Sequence, residues 1–489
     1  MIIKKSQEEI QNYLYDSSNF RGFCDAVYIP EDASEISGIL KEFNDKKIPI
    51  TISGGGTGLT GARVPQGGVV ISTEKLNKIL DINKEEKYLI VEPGVILTDL
   101  QNFLKEYNFV YPPDPTEETC FIGGTIATNA SGEKTFEYGP TRNFVLELEI
   151  MSANGEKLLL KRGENFANDS RLTLLTDNGT KYILEIPNAT KTDLKNASGY
   201  YCKSNMDAID LFIGSEGTLG VITKAKLKII DVPNEIISCI VFFDDDKNAL
   251  EFINEARTES YKNRKENKRN MLDALALEFF DENSLKFLKE DFPKIPTDAK
   301  AAVWFEQEIS ADSDEIYEQW FNLILGSNGK EENSWFGISS KEKTEIELLR
   351  KSLPRKINEY IYRNNFRKLG TDTTVPSEKF EDFYNFCKTE VKENNLEYVA
   401  FGHVGNSHIH LNMLPKSQEE FERAKKIYEV IVNRAIEMGG TFSAEHGVGK
   451  AKKDYLIKMY GEETVKKMAQ IKNVLDPNWI LGRGNIFDV

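Results

Sequence analysis

Hydrophobic residues near the start of the chain follow the spacing of strands and helices. Ala26–Pro30 and Ile48–Ser53 have the apolar character of strands, and Asp32–Asn44 between them has the spacing of an amphipathic helix. This order predicts a βαβ unit. Further strands are predicted, with a helix over Thr98–Tyr107 before the last of them; these strands are Gly68–Ser72, Tyr88–Val91 and Val145–Met151.

The pattern changes after Val221–Ile230, an alternating stretch that predicts another strand. The turn-forming Asp231–Asn234 follows and predicts a domain boundary. Beyond it, charged helices around residues 245–268 and 312–325 alternate with strands; the strands are Ile236–Phe243, Ala301–Ile309 and Tyr398–His403. We therefore predict an α+β fold with two domains, residues 1–231 and 232–489, the second built on an antiparallel sheet.

Composition narrows the class of protein. The chain has 489 residues, of which 40% are hydrophobic and 29% charged, as in a soluble globular enzyme. Its formal net charge of −16 argues against a nucleic acid as partner. An anionic substrate would therefore need a local cation, either a metal ion or a placed arginine.

Targeting and redox signals are few. No apolar run reaches the roughly 20 residues of a membrane span, and no secretory signal follows Met1–Glu8. We expect a cytoplasmic protein, and peripheral attachment to the inner face of the membrane stays open. The five cysteines form no C-x-x-C pair, so neither a disulfide framework nor an iron–sulfur cluster is indicated.

Glycine-rich segments are the first candidate binding features. Gly54–Gly61 has five glycines in eight residues, and part of it matches G-x-G-x-x-G. Pro65 and two glycines follow, so the helix of a Rossmann loop cannot form there. The loop can still cradle a phosphate with its backbone N–H groups, and a tight turn is the alternative. With Ile213–Gly220 and the long loop predicted over Pro112–Gly139, it favours one extended phosphate-bearing ligand.

The four histidines all fall within residues 403–446. On a strand, His408, His410 and Asn412 would share one face. The turn-forming residues 405–407 let the chain bend, so His403 can point into the same site. Farther on, Glu445 stands beside His446. Two neutral imidazoles and a carboxylate form a common divalent-metal site with room for substrate oxygens, and hydrogen-bonded core histidines are the alternative.

These motifs resemble the FAD-linked D-2-hydroxyacid dehydrogenase family of the vanillyl-alcohol-oxidase superfamily. That family includes D-lactate dehydrogenase, the glycolate oxidase flavoprotein subunit and D-2-hydroxyglutarate dehydrogenase. The resemblance covers residues 20–489, and it is carried by SGGGTGLTG at 53–61, PPDP with IGGTIATNA at 112–130, YGPTR at 138–142 and GSEGTLGVIT at 214–223. It implies an FAD-binding domain of two α+β subdomains and an α+β cap domain with an antiparallel sheet.

The resemblance implies an FAD site in the first domain. The first glycine loop would wrap the pyrophosphate, residues 113–139 would line the flavin, and the C-terminal segment would return to it. The FAD-binding residues implied are Gly54, Gly55, Gly56, Thr57, Gly58, Leu59, Pro113, Asp114, Gly123, Gly124, Thr128, Asn129, Gly132, Tyr138, Gly139, Glu216, Gly220, Ile222 and Asn485. Many members of the superfamily attach FAD through a histidine of this domain. No histidine precedes His403, so we predict non-covalent FAD.

The resemblance also implies a metal site and catalytic residues. His403, His410 and Glu445 would bind a divalent metal, with zinc expected and manganese or iron as alternatives. Three further residues match catalytic positions of the family. His446 would be the base, Arg350 would bind the substrate carboxylate with two hydrogen bonds, and Asn412 would contact the substrate.

This chain departs from the family at three positions. Asn406, Ser407 and His408 stand where relatives have Asp, Gly and Asn. His408 would be either an additional metal ligand or a residue that contacts the metal ligands without binding the metal itself. The family's lysine has its nearest match in Lys368, at a different spacing from Asp372–Pro376.

The resemblance implies a dehydrogenase that oxidises a small, lactate-like D-2-hydroxy acid to its 2-oxo acid. Hydride would pass to FAD, and electrons would leave to an external acceptor: a quinone, a cytochrome or an iron–sulfur partner subunit. The alternatives are a flavin oxidase that uses oxygen on another alcohol, a glycolate oxidase flavoprotein subunit, and a metal- or flavin-binding module without turnover. A homo-oligomer stays open.

Overall fold

A computed structural model describes residues 1–189, 194–233, 235–268, 270–309 and 313–488. The chain forms two compact units. The first unit comprises Met1–Ser131, Pro140–Val232 and Ser443–Val489, and the second comprises Gly132–Gly139 and Pro233–Phe442. The break after Val232 lies next to the predicted boundary at residue 231, although Asn234 of the predicted turn lies outside the described residues.

The strands of the described residues are numbered in chain order. They are Ile2–Lys4 (β1), Ala26–Ile29 (β2), Ile50–Ser53 (β3), Val69–Ser72 (β4), Ile79–Asn83 (β5), Tyr88–Val91 (β6), Phe109–Val110 (β7), Val145–Met151 (β8), Lys157–Lys161 (β9), Arg171–Leu175 (β10), Lys181–Glu185 (β11), Val221–Lys228 (β12), Ile230–Asp231 (β13), Glu235–Phe243 (β14), Ala276–Asp281 (β15), Ala301–Ile309 (β16), Trp335–Gly337 (β17), Leu369–Gly370 (β18), Thr373–Thr374 (β19), Tyr398–Gly402 (β20) and His408–Met413 (β21).

The α-helices of the same residues follow the same convention. They are Gln7–Ile10 (α1), Ala33–Asp45 (α2), Leu97–Lys105 (α3), Ile122–Thr128 (α4), Thr135–Tyr138 (α5), Ile209–Phe212 (α6), Asp246–Lys265 (α7), Glu282–Leu288 (α8), Asp314–Gly326 (α9), Ser340–Arg363 (α10), Phe380–Glu393 (α11), Gln418–Glu437 (α12), Lys453–Tyr460 (α13) and Glu462–Leu475 (α14). The predicted helices around 245–268 and 312–325 correspond to α7 and α9, and residue 312 lies outside the described residues.

The first sheet of the first unit has the strand order β1-β2-β4-β3. Its strands β2, β4 and β3 are parallel, which confirms the predicted βαβ unit. The Asp32 carboxylate caps α2 by accepting a hydrogen bond from the Glu35 amide, and the apolar side of α2 is buried. Near the C-terminus, the Ile50 amide of β3 donates to the Ile480 carbonyl over 2.6 Å. Ile480 and Leu481 are buried in the same core, which is why the C-terminal segment belongs to this unit rather than to the second, predicted domain.

The second sheet of the first unit is antiparallel, with the order β5-β6-β12-β8-β9. The predicted strand over Val221–Ile230 is interrupted, because β12 ends at Lys228 and β13 pairs with β7 instead. The single long loop predicted over Pro112–Gly139 is wrong in part, since it contains α4 and α5. In α4, Ile122, Thr125 and Ile126 are buried at helical spacing, and this short apolar face stabilises a helix despite two glycines.

The second unit is built on a single antiparallel sheet with the order β17-β14-β16-β15-β20-β21-β18, and β19 also pairs with β21. Helices cover both faces. In β14, Cys239 and Val241 lie in one core and Ile240 and Phe242 in the other. Burial on both faces explains why this strand is a continuous apolar run rather than an alternating one. The predicted antiparallel sheet is confirmed.

Two expectations concern the whole chain. Within the described residues, every helix is too short or too polar to cross a membrane. All five cysteines are buried as free thiols.

Candidate active site

The first glycine loop begins where β3 ends, in the first unit. Gly54 and Gly55 pack against Phe121, and the position of a Cβ on Gly54 would lie 3.9 Å from the Gly124 Cα. Gly56 has φ +83°, and a Cβ there would lie 2.5 Å from the guanidinium of Arg63. That guanidinium donates to the Gly54 carbonyl over 2.9 Å. Glycine adopts this left-handed conformation without strain, and any side chain here would have to displace the Arg63 guanidinium. Gly56 and Arg63 together therefore favour this loop conformation.

The loop presents backbone donors. Among the described residues, the amides of Gly55, Gly56, Thr57, Gly58 and Leu59 donate no hydrogen bond within the protein. Consecutive amides in a loop of this kind form a concave site for phosphate oxygens. The residues present therefore fit the pyrophosphate of FAD.

Parts of all three glycine-rich segments meet in the first unit, which includes the long segment only as far as Ser131. The Gly214 amide donates to the Ile126 carbonyl over 3.0 Å, and the Glu216 amide donates to the Ala127 carbonyl over 2.8 Å. The side-chain Nδ2 of Asn485 donates to the Glu216 carbonyl over 3.3 Å. The C-terminal segment thus joins the cradle that the sequence predicts.

Other residues predicted to bind FAD have structural partners of their own. Thr128 donates to the Gly124 carbonyl, and the Asn129 side chain accepts from the Arg142 amide. Added Cβ atoms on Gly123 and Gly220 would meet Pro93 and Ile150 at 2.5 Å each. The remaining predicted residues are placed as follows: Pro113 is buried, Asp114 is half-buried, Ile222 pairs with Ile150 in the sheet, and Gly132, Tyr138 and Gly139 lie in the second unit.

Glu216 uses its carboxylate within the protein. The two oxygens accept hydrogen bonds of 2.7 Å from the amides of Val448 and Gly449. Burial raises the pKa of Glu216 to about 7, against the lowering effect of these amides and of Lys450. Burial also lowers the pKa of Lys450 to about 8, and its ammonium donates to Asn485 over 2.5 Å. Glu216 therefore joins the segment after His446 to the FAD-binding segments.

Glu445 and His446 also lie in the first unit. The His446 Nε2 is 3.5 Å from one Glu445 oxygen, and the His446 side chain is 24% exposed. The other Glu445 oxygen accepts a hydrogen bond of 2.5 Å from the ammonium of Lys195. The predicted base is thus accessible, and the predicted carboxylate ligand has a buried cation beside it.

The other three histidines lie in the second unit, on either side of a tight turn. β20 ends at Gly402, a short 3₁₀ helix covers Val404–Asn406, and Ser407 has φ 54° before β21 begins. This turn brings His403 to the face of β21 that carries His408 and His410. One ring nitrogen from each histidine lies within 4.8 Å of the others. The predicted bend and shared face are confirmed.

His403 is oriented by a buried carboxylate. Its Nδ1 is 2.6 Å from one oxygen of Glu278, whose other oxygen accepts from the Arg350 Nε over 2.7 Å. Burial alone would raise the pKa of Glu278, but His403 and Arg350 hold it below its ordinary value. An ionised Glu278 accepts the Nδ1 proton, which places the lone pair of neutral His403 on Nε2, where a metal ligand needs it.

The other strand residues have comparable partners. The His410 Nδ1 lies 3.1 Å from the Thr371 carbonyl, which can only accept, so its lone pair is likewise on Nε2. The His408 Nε2 lies 3.1 Å from an Asp372 oxygen, and both side chains are fully buried. The Asn412 Oδ1 is buried and accepts no hydrogen bond from the described residues. An imidazole pair with matched tautomers fits a divalent metal.

Arg350, the predicted carboxylate clamp, is 2% exposed and lies between Glu278 and Glu133, 3.4 Å from the latter. Sequence reasoning missed Lys195, Glu278 and Arg63. Lys195 is 250 residues from Glu445, and Glu278 is 125 residues from His403. No local pattern connects Lys195 or Glu278 to a partner so far along the chain, so only the fold identifies these two. Arg63 lies nine residues from Gly54, but no motif marked it as a support for the glycine loop.

Known proteins share this architecture. Residues 24–160 match the sequence model of an FAD binding domain, and residues 258–486 match the C-terminal domain of FAD linked oxidases. The fold resembles the solved structure of p-cresol methylhydroxylase, with a TM-score of 0.74 over 99% of this chain and 94% of that one at 15% identity. The chain is an FAD-linked oxidoreductase, and its predicted fold class is confirmed.

Whole-chain relatives narrow the family. The chain is 29% identical to a D-lactate dehydrogenase of Anaerostipes hadrus, over 92% of this chain and 87% of the relative. It is 28% identical to the glycolate oxidase subunit GlcD of Bacillus subtilis (strain 168), over 97% of this chain and 92% of that relative. It is also 28% identical to a D-2-hydroxyglutarate dehydrogenase of Stutzerimonas stutzeri (strain A1501), over 94% of this chain and 90% of that relative. The chain belongs to this family of FAD-linked 2-hydroxyacid dehydrogenases, as the sequence motifs predict.

Proposed function

We propose that this enzyme oxidises a small, lactate-like D-2-hydroxy acid to its 2-oxo acid. The observation that carries the proposal is the cluster of His403, His408 and His410 in the second unit, where two rings present Nε2 lone pairs. Relatives named for D-lactate, glycolate and D-2-hydroxyglutarate support a 2-hydroxy acid as the substrate class.

We further propose that His403, His410 and Glu445 hold a divalent metal, with zinc first and manganese or iron as alternatives. Two imidazole nitrogens and one carboxylate suit all three ions. When bound, the ion would polarise the substrate hydroxyl and lower its pKa. This supplies the local cation that an anionic substrate needs on a chain of net charge −16.

The chain's own residues would then divide the remaining work. His446 would accept the hydroxyl proton, and its partial exposure leaves room for substrate beside it. Asn412 would contact the substrate through its buried Oδ1. Arg350 would bind the substrate carboxylate, in exchange for its longer contact with Glu133.

FAD would be held without a covalent bond, mainly by the amides of Gly55–Leu59. When bound, it would serve as the hydride acceptor. Acid precipitation should therefore release the yellow flavin into the supernatant. Electrons would leave to an external quinone, cytochrome or iron–sulfur partner subunit, because the five buried cysteines are free thiols. We also propose a cytoplasmic location, and a quinone acceptor would bring the enzyme to the inner face of the membrane.

The proposal is tested by flavin bleaching in the absence of oxygen. Purified holoenzyme is mixed with D-lactate, glycolate or D-2-hydroxyglutarate, and the absorbance of oxidised flavin is followed. L-lactate is the matched control, because it differs only in configuration. We expect rapid bleaching by at least one acid of the D series or by glycolate, and D-lactate to be faster than L-lactate. No bleaching by any of these acids would reject the proposed function. Turnover with oxygen as fast as with an artificial dye would favour the oxidase alternative.

A further inference from the structure

Lys195 is a buried lysine beside a proposed metal ligand. Its side chain is 2% exposed, and its ammonium donates to the Glu445 Oε2 over 2.5 Å. Two further contacts join the same chain segments: the Ala197 amide donates to the Ser443 carbonyl over 2.9 Å, and the Ser198 hydroxyl donates to it over 3.0 Å. These contacts hold the segment that follows Lys195 against the segment that precedes Glu445, so the fold places the lysine beside this carboxylate.

The two oxygens of Glu445 are consequently unlike. Oε2 lies against Lys195, whereas Oε1 lies 3.5 Å from the His446 Nε2. A charge-assisted hydrogen bond to a buried ammonium is among the stronger interactions a carboxylate makes. An oxygen engaged in this way is a poor second ligand, because binding a metal through it would mean giving up that bond in a site with little water.

We propose that Lys195 is a positioning residue that makes Glu445 a one-oxygen ligand, offering Oε1 to the metal while Lys195 holds Oε2. This inference rests on the proposed function, in which Glu445 is a metal ligand. Ligating carboxylates commonly carry such an outer hydrogen bond, which fixes their orientation and charge.

One consequence follows for the substrate class. A carboxylate that binds through one oxygen occupies one coordination position, which leaves neighbouring positions for a ligand with two adjacent oxygens. A 2-hydroxy acid has that arrangement, in its hydroxyl and its carboxylate.

The test measures metal binding without substrate. Lys195→Met, Lys195→Gln and Lys195→Arg are prepared as holoflavoproteins, and metal affinity is measured by competition with a coloured chelator. We expect Lys195→Met to bind zinc about 10–100-fold more weakly than the wild type, the usual effect of losing a partner behind a ligand. Lys195→Gln, which keeps a neutral donor, should fall between the two. Lys195→Arg, which keeps the charge and the donor, should restore most of the affinity.

Cobalt(II) gives a spectroscopic readout of the ligand geometry. The visible absorption of cobalt-loaded Lys195→Met should weaken and shift relative to the wild type, because Glu445 becomes able to bind through both oxygens and raises the coordination number. Lys453→Met is the matched control. Lys453 lies in the same unit and pairs with the exposed Asp488, and its loss should leave both readouts unchanged.

Zinc binding by Lys195→Met or Lys195→Gln that is unchanged or tighter would overturn the inference; tighter binding would mean that Lys195 competes with the metal for Glu445. If Lys195→Met does not fold, Lys195→Gln and Lys195→Arg are compared instead, because the inference requires Lys195→Gln to bind zinc more weakly than Lys195→Arg. A wild-type enzyme that binds no divalent metal would reject the proposed function itself, and the inference with it. If the wild type binds zinc and Lys195→Met binds it equally well, only the inference about Lys195 is rejected.

Discussion

At the scale of single residues, Glu278 connects a proposed metal ligand to an arginine. It is fully buried and bonds to His403 through one oxygen and to Arg350 through the other. Burying a carboxylate is costly unless partners of this kind surround it. The same bonds fix which nitrogen of His403 carries the proton, so the stabilising contact also prepares the ligand.

We predict that Glu278→Gln weakens zinc binding by about 10–100-fold, because the neutral amide no longer fixes the His403 tautomer. Zinc affinity is measured by chelator competition. Asp281→Asn is a matched control: Asp281 is buried on the same strand, and its carboxylate accepts from the amides of Ser284 and Ala400 instead of a histidine. Equal zinc affinity in both variants would contradict the proposed role of Glu278.

His446 is the proposed base, and its ring is partly exposed. We predict that His446→Ala keeps its flavin and metal but reduces flavin about 10²–10⁴-fold more slowly, the usual contribution of a general base. Stopped-flow absorbance with D-lactate under anaerobic conditions measures the rate, and elemental analysis measures the metal. A flavin reduction rate equal to that of the wild type would remove His446 from the mechanism.

At the scale of elements, Glu216 ties together segments that are distant in sequence. Its backbone adopts φ 53°, uncommon for a residue with a side chain, and its carboxylate receives the amides of Val448 and Gly449. The charged groups that act on it are Lys450 and Lys452, and both favour its ionised form. Burial still dominates, so the folded protein retains the Glu216 proton to a higher pH than the unfolded chain does.

This gives a stability prediction with a definite sign. The pKa of Glu216 is about 7 in the folded protein and 4.5 ordinarily. Between pH 4.5 and pH 7 the folded state therefore binds more protons than the unfolded chain, so the protein loses stability as the pH rises through this range. Glu216→Gln resembles the neutral acid and lacks this dependence. Relative to the wild type, it should gain up to about 3 kcal/mol of unfolding free energy between pH 4.5 and pH 8. Urea unfolding at several pH values measures this gain, and parallel curves for the two proteins would contradict it.

How far the sequence predicts these elements depends on how local the signal is. The strand Ala301–Ile309 matches its prediction at both ends, because its apolar run lies between turn residues. The histidine cluster was likewise predictable, since His403 and His410 are separated by one short turn. The α4 helix was not, because glycines conceal its short apolar face. Lys195 and Glu278 were invisible as well, since their partners come from remote parts of the chain.

At the scale of the whole molecule, the two units carry different parts of the chemistry. The first unit contains the first glycine loop, in which the amides of Gly55–Leu59 donate no hydrogen bond to any described residue, together with Glu445 and His446. The second unit holds the other three histidines, with Glu278 and Asp372 behind them. Most of the proposed flavin contacts thus come from the first unit, whereas two of the three proposed metal ligands, His403 and His410, come from the second. We therefore expect that the flavin and the metal can be removed one at a time.

We therefore predict that a strong chelator abolishes flavin reduction by D-lactate while FAD stays bound. The reason is that amides of the first glycine loop need no metal to bind phosphate, whereas activation of the substrate hydroxyl does. Flavin absorbance after gel filtration measures retention, and adding back zinc, manganese or ferrous ion tests recovery. The ion that restores the rate at one equivalent identifies the metal. Full flavin reduction by metal-free enzyme would reject metal assistance, and loss of FAD together with the metal would show that the two sites depend on each other.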